Sequence, residues 1–90
     1  MLYVMRLHGA LPGLDVVKLG QSAWPDWRCV SVRRLVRKHF GPGVRVELVR
    51  VMRDRRGGER AFHAHFADHR LVSEFFLFHP DMLTHQPRAR

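Results

Sequence analysis

From Pro25 to Phe40 the chain has one good local solution, a helix. Proline suits the first helical turn because the amide it lacks would have no partner there. Gly41-Pro42-Gly43 then stops the helix. Between those marks the helix runs through Trp27, Val32, Leu35 and Val36. The rest of the chain must be built around this helix. Ninety residues bury one modest core and leave no room for a second independent domain.

The flanking segments read as strands. Leu2-Tyr3-Val4-Met5 is rich in strand formers, and Gly9, Pro12 and Gly13 punctuate the chain before Val16-Val17-Lys18-Leu19 starts a second run. This predicts a hairpin with a generous loop. Past the helix, Val44-Arg45-Val46-Glu47-Leu48 alternates apolar and polar residues, and Val49-Arg50-Val51 resumes the alternation one place out of phase. A single strand with a bulge near Leu48 and Val49 accounts for the slip. Arg53-Asp54-Arg55-Arg56-Gly57-Gly58 is a charged loop leading into a second helix expected from about residue 59 to residue 70. Phe75-Phe76-Leu77-Phe78 is a last short strand. The fold expected is a small α/β (α+β) domain over residues 1–79, a three-stranded mixed or antiparallel sheet flanked by helices. Its order is β-β-α-β-α with a short terminal strand, and residues 80–90 form a polar tail prone to fraying.

Sixteen Lys and Arg against eight Asp and Glu give a formal charge of +8 and a sequence pI near 11.5. Polyanions are the natural partners of such a surface. Arginine dominates the cations, and its planar fork binds phosphate oxygens in pairs. The outer side of the first helix, with Arg33, Arg34, Arg37 and Lys38, and the loop residues Arg53, Arg55 and Arg56 are the candidates to follow a phosphate backbone. Cys29 is the only cysteine, which excludes an intramolecular disulfide and a Cys-rich zinc site and suits a reducing cytoplasm. No apolar stretch approaches membrane-spanning length, and the opening residues read as a strand rather than a signal peptide.

Four polar residues stand where a purely structural chain does not need them: Tyr3, Lys18, Arg28 and Glu59. At roughly 100° per helical residue, Arg28 projects near Val32, Leu35 and His39, away from the other helix cations. By the same count Glu59 shares a face with Phe62, His63 and Phe66. Both then look toward a cleft over the sheet. His63, four residues after Glu59, reaches the same place. His63, His65 and His69 do not share one helix face and lack the further ligands of a zinc site. The phenylalanines read as core rather than as a base-stacking platform. Each of the four polar residues also has a structural reading: Tyr3 as a core-edge aromatic, Lys18 as a solvated strand lysine, Arg28 as one more surface cation, and Glu59 as a carboxylate favoured by the helix dipole.

Leu2-Tyr3-Val4-Met5 followed by Val17-Lys18-Leu19-Gly20-Gln21-Ser22 resembles the paired strand motifs of the GIY-YIG nuclease superfamily. In that likeness Tyr3 matches the tyrosine of the first motif, Lys18-Leu19-Gly20 the second, and Arg28 the helix arginine. Glu59 to Phe66, Arg70 and Glu74-Phe75-Phe76 further resemble the phage-derived, meiotically up-regulated-protein branch. Lys18 departs from the superfamily's second tyrosine, a change this branch commonly shows.

The resemblance implies hydrolysis of phosphodiester bonds in DNA or RNA. Glu59 is then the ligand of one Mg²⁺ or Mn²⁺, Arg28 the grip on the scissile phosphate, and Tyr3 the group that orients or deprotonates water. Lys18 assists that phenol or binds phosphate itself, and His63 assists catalysis or orients Glu59. Two other classes fit the same composition: a nucleic-acid-binding module of this fold without hydrolytic activity, and a protein-interaction domain whose charge follows from Arg-rich codon use.

Overall fold

The computed structural model describes residues 1–53 and 56–87. The chain runs β1 (Leu2–Leu11), β2 (Leu14–Gln21), α1 (Pro25–Phe40), β3 (Arg45–Met52), α2 (Gly58–His65), a 3-10 turn at Ala67–His69, β4 (Arg70–Val72), β5 (Phe75–Leu77) and a second 3-10 turn at Pro80–Leu83. All pairings are antiparallel, in the sheet order β3-β1-β2-β5-β4. None of the described helices is long and apolar enough to cross a membrane.

Among the described residues the sheet therefore has five strands where the sequence predicted three. The expected short terminal strand joins the sheet beside β2 as β5, and β4 forms where the second helix was expected to end. That helix stops at His65, the chain tightens into a 3-10 turn, and Arg70–Val72 becomes an edge strand paired to β5. Phe66-Ala67-Asp68-His69 contains neither Gly nor Pro, so no residue of that segment announces that the helix stops at His65.

The first hairpin also differs from expectation. Leu11 pairs with Leu14, so the connection is just Pro12-Gly13, and both strands extend past the punctuation at Gly9, where the register shifts. Proline ahead of a glycine at φ +75° is the residue pair a two-residue reversal of this kind favours. The predicted bulge in β3 is present. Val4 pairs with Arg50 and Met5 with Leu48, leaving Val49 as the extra residue at the phase slip.

Alternation along β1 divides the core in two. Tyr3, Met5 and Leu7 face α1 with Val16, Val46, Cys29, Val32 and Val36. Leu2 and Val4 face the other way, with Val17, Leu19, Phe62, Phe66, Phe76 and Met82. The central strands are covered on both faces, which is why their sequences are nearly continuous apolar runs. Each fully buried Leu, Phe or Met side chain contributes about 1.5–3 kcal/mol relative to exposure.

The C-terminal segment, expected to fray from Pro80, is instead docked through His85. Met82 is buried, Arg50 Nη1 donates to the carbonyls of Met82 (2.9 Å) and His85 (2.7 Å), and the His85 ring stacks on those of His65 and Phe62.

Candidate functional site at the end of the sheet

β1 begins, and β2 and β3 end, at the same edge of the sheet. Leu2 pairs with Gln21 on one side and with Met52 on the other. α1 starts four residues after Gln21 and α2 six residues after Met52. Topology thus gathers Tyr3, Gly20 and the first turns of both helices at one end of the molecule. The helices lie on opposite faces of the sheet, so Arg28 and Glu59 do not share the single cleft that their helical phase predicts; they approach that end from opposite sides.

At its centre is a buried polar contact. Tyr3 is 0% exposed and Lys18, on the same face of the neighbouring strand, is 3% exposed. Lys18 Nζ donates to Tyr3 Oη at 2.8 Å and to Glu74 Oε2, with which it forms an ion pair. The lysine is therefore not the solvated strand residue that was one of its readings. A buried amine must be partnered, and the phenol and the carboxylate supply two acceptors. Since the phenol accepts from Lys18, its own O–H proton remains available as a donor.

Gly20 stands across from Tyr3 in the β1–β2 pair, and the tyrosine ring lies over its Cα. A Cβ at this position would fall 2.5 Å from Tyr3 Cζ. The glycine of the second motif thus has a steric cause in this chain, since its missing side chain is the space the phenol occupies.

In the sequence pattern Glu74 has no role beyond heading a Glu-aromatic pair, yet its carboxylate, 34% exposed, is the ion-pair partner of Lys18. The link depends on Lys18 pairing with Phe75, a β2–β5 register that no local pattern reveals. Its neighbouring backbone holds the same corner, with the Leu19 amide donating to the Glu74 carbonyl at 2.9 Å.

His63 reaches β2 from the α2 side. Its Nε2 lies 2.7 Å from the Leu19 carbonyl, and its ring packs at 5.1 Å from that of Phe76. A carbonyl can only accept, so Nε2 carries the hydrogen and donates. β5 pairs with β2 only as far as Lys18, which leaves the next carbonyl on that side for the imidazole.

Arg28 is exposed on α1 next to Cys29, which packs in the same cluster as Tyr3. Glu59 is half-buried in the first turn of α2. Arg33, Arg34, Arg37 and Lys38 on α1, and Arg53 and Arg56 beside α2, are exposed, as a phosphate-tracking surface requires. Arg55 lies outside the described residues.

No group of three or more His, Cys, Asp or Glu able to enclose a metal occurs among the described residues. A Mg²⁺ or Mn²⁺ ion does not need one. Such ions are commonly held by one or two carboxylates and complete their shell with water and phosphate oxygen, a donor set that Glu59 fits. Comparisons with known protein families, characterised proteins and solved structures return no match.

Proposed function

We propose that this chain is a GIY-YIG-type endonuclease domain that uses one divalent cation to hydrolyse phosphodiester bonds in nucleic acid. The observation that carries the reading is the Tyr3–Lys18 contact, 2.8 Å long and seated over Gly20, at the end of the sheet where Arg28 and Glu59 begin their helices. These residues belong to the motifs that resemble the superfamily, and the surrounding cations provide a field that draws in a polyanion.

The division of labour follows from the side chains. Arg28, exposed and forked, grips the phosphate and offsets charge that builds on its equatorial oxygens. Lys18 fixes the phenol by donating to its oxygen, so Tyr3 presents its hydrogen in one direction and orients the attacking water. Glu74 holds Lys18 in place, and His63 ties α2 to β2 and so sets the position of Glu59. Glu59 would hold the Mg²⁺ or Mn²⁺, which supplies Lewis-acid polarisation of a phosphoryl oxygen.

A second reading is favoured by a specific observation. Tyr3 and Lys18 are both almost entirely enclosed, as befits a packed polar core under a surface that only binds. On this reading the domain is a nucleic-acid-binding module of the same fold without catalysis.

Cleavage of supercoiled plasmid and of single-stranded DNA with Mg²⁺ or Mn²⁺ separates the two readings. Glu59→Ala and Arg28→Ala should each lower the rate by about 10²–10³-fold, the usual loss for one group that stabilises transition-state charge, with circular dichroism unchanged. Wild-type protein that binds DNA without cutting it, and variants that bind like wild type, would replace the nuclease with the binding module.

A further inference from the structure

Trp24 and Trp27 are the chain's two tryptophans, and they are 71% and 75% exposed. Large aromatics are ordinarily well covered in a folded domain because they carry so much apolar area. Here both stand at the start of α1, within one turn of Arg28. Trp24 caps the helix, and its carbonyl accepts from the Arg28 amide at 2.9 Å.

The rings are carried on a stiff support. Pro25 restricts the backbone of Trp24, and the Trp24 amide donates to Ser22 Oγ at 3.1 Å. Trp27 lies on the outermost side of α1, opposite the buried Cys29, Val32 and Val36. Arg34 and Lys38, seven and eleven residues further on, fall within roughly 20° of the same line. α1 therefore presents two exposed indoles followed by a row of exposed cations.

Exposed aromatics interleaved with cations on a chain of net charge +8 match the chemistry of unpaired nucleotides. A duplex keeps its base faces stacked on each other and offers a protein surface mainly phosphate. A single strand offers phosphates and bare base faces together, and the indoles complement only the second. We propose that Trp24 and Trp27 form a base-stacking platform, and that the domain takes single-stranded or locally unpaired nucleic acid, leading its backbone past Arg28. The proposal rests on the nucleic-acid reading above and names the substrate class of that same site.

Because the chain has no other tryptophan, fluorescence excited at a wavelength that tryptophan absorbs and tyrosine does not reports on these two rings alone. The test is titration of this whole chain in EDTA, which keeps cleavage out of the measurement, with oligo-deoxythymidine and with a duplex of equal length at the same salt concentration. The single strand should quench the fluorescence and bind more tightly than the duplex. Trp24→Ala and Trp27→Ala should each weaken single-strand binding by about 5- to 150-fold, the range for losing one stacked base. Trp27→Phe should recover most of that loss, and the salt dependence should stay unchanged because no phosphate contact is removed.

Single-strand binding without quenching, or unchanged affinity in a folded double alanine variant, overturns the platform and assigns the rings to a different partner, such as a protein. Equal quenching by the duplex overturns the preference for unpaired strands. Quenching without cleavage in the plasmid assay removes the nuclease and leaves the platform standing. Cleavage without quenching removes the platform and leaves the nuclease.

Discussion

Gly20→Ala isolates the packing on which the candidate site depends. In a strand with ordinary backbone angles this substitution should stabilise by about 0.4–1 kcal/mol, because alanine has less freedom to lose on folding. Here the new methyl would sit 2.5 Å from Tyr3 Cζ and 3.0 Å from Cε1, and the ring it meets is fully enclosed. Forcing an extra carbon into a filled core costs about 1–3 kcal/mol. If the ring moves aside, Tyr3 Oη also loses its hydrogen bond from Lys18, worth about 1.5–3 kcal/mol because a charged donor is involved. The net expectation is a loss of about 3 kcal/mol, which shifts the urea midpoint down by roughly 1–3 M at the slopes usual for small domains. The assay is urea unfolding followed by far-ultraviolet circular dichroism, with Gly43→Ala as control, since a Cβ there meets nothing within 4 Å. Gly20→Ala unfolding within 0.5 M of the wild type, or no lower than Gly43→Ala, would refute the seating of Tyr3 over Gly20.

Glu74→Gln keeps the shape of the side chain but removes the charge opposite Lys18. With the carboxylate about a third exposed, the loss should be about 1–2 kcal/mol, below the range for a fully buried pair; unchanged stability would show that Lys18 is satisfied by other groups. Stability should also fall in mild acid because of His85. Burial, then the charges of His65 and Arg50, lower its pKa below 6.5, against an opposing pull from Asp81. The unfolded chain therefore takes up this proton first, and the His85 contribution is lost as pH drops below about 6.5. Thermal unfolding between about pH 7 and pH 5 should show a shallower decline for His85→Asn than for the wild type, and equal slopes would remove His85 as the cause.

How legible the fold was depended on how local its causes are. α1 has the span that Pro25 and Gly41-Pro42-Gly43 mark, since both ends are set by residues that act on their own backbone. The bulge at Val49 was visible because a strand covered on one face keeps strict phase. β4 was not visible. Arg70-Leu71-Val72 is three residues long and exposed throughout, so no alternation marks it, and it exists as a strand only through β5.

The same division runs through the site. Tyr3 and Lys18 could be singled out because a polar residue inside an apolar run demands an explanation, and the structure joins them directly. Glu74 required the β2–β5 register, and the placement of Arg28 and Glu59 on opposite faces required knowledge of which face each helix covers. The exposure of Trp24 and Trp27 was equally out of reach, since an indole at a helix start packs inward or outward according to its neighbours.

The two-sided cover over β1 and β2 also governs how freely this protein can change. On a strand with one wet face, every second position tolerates replacement, and new chemistry can be tried there at little risk to folding. Along most of Leu2–Leu7 and Val16–Gly20 that freedom is missing, because both faces are enclosed. The Tyr3–Lys18 pair that these strands carry is locked into the least substitutable part of the molecule. The outer side of α1 carries no such constraint, so variants that differ in what they bind should differ there while keeping the same pair of central strands.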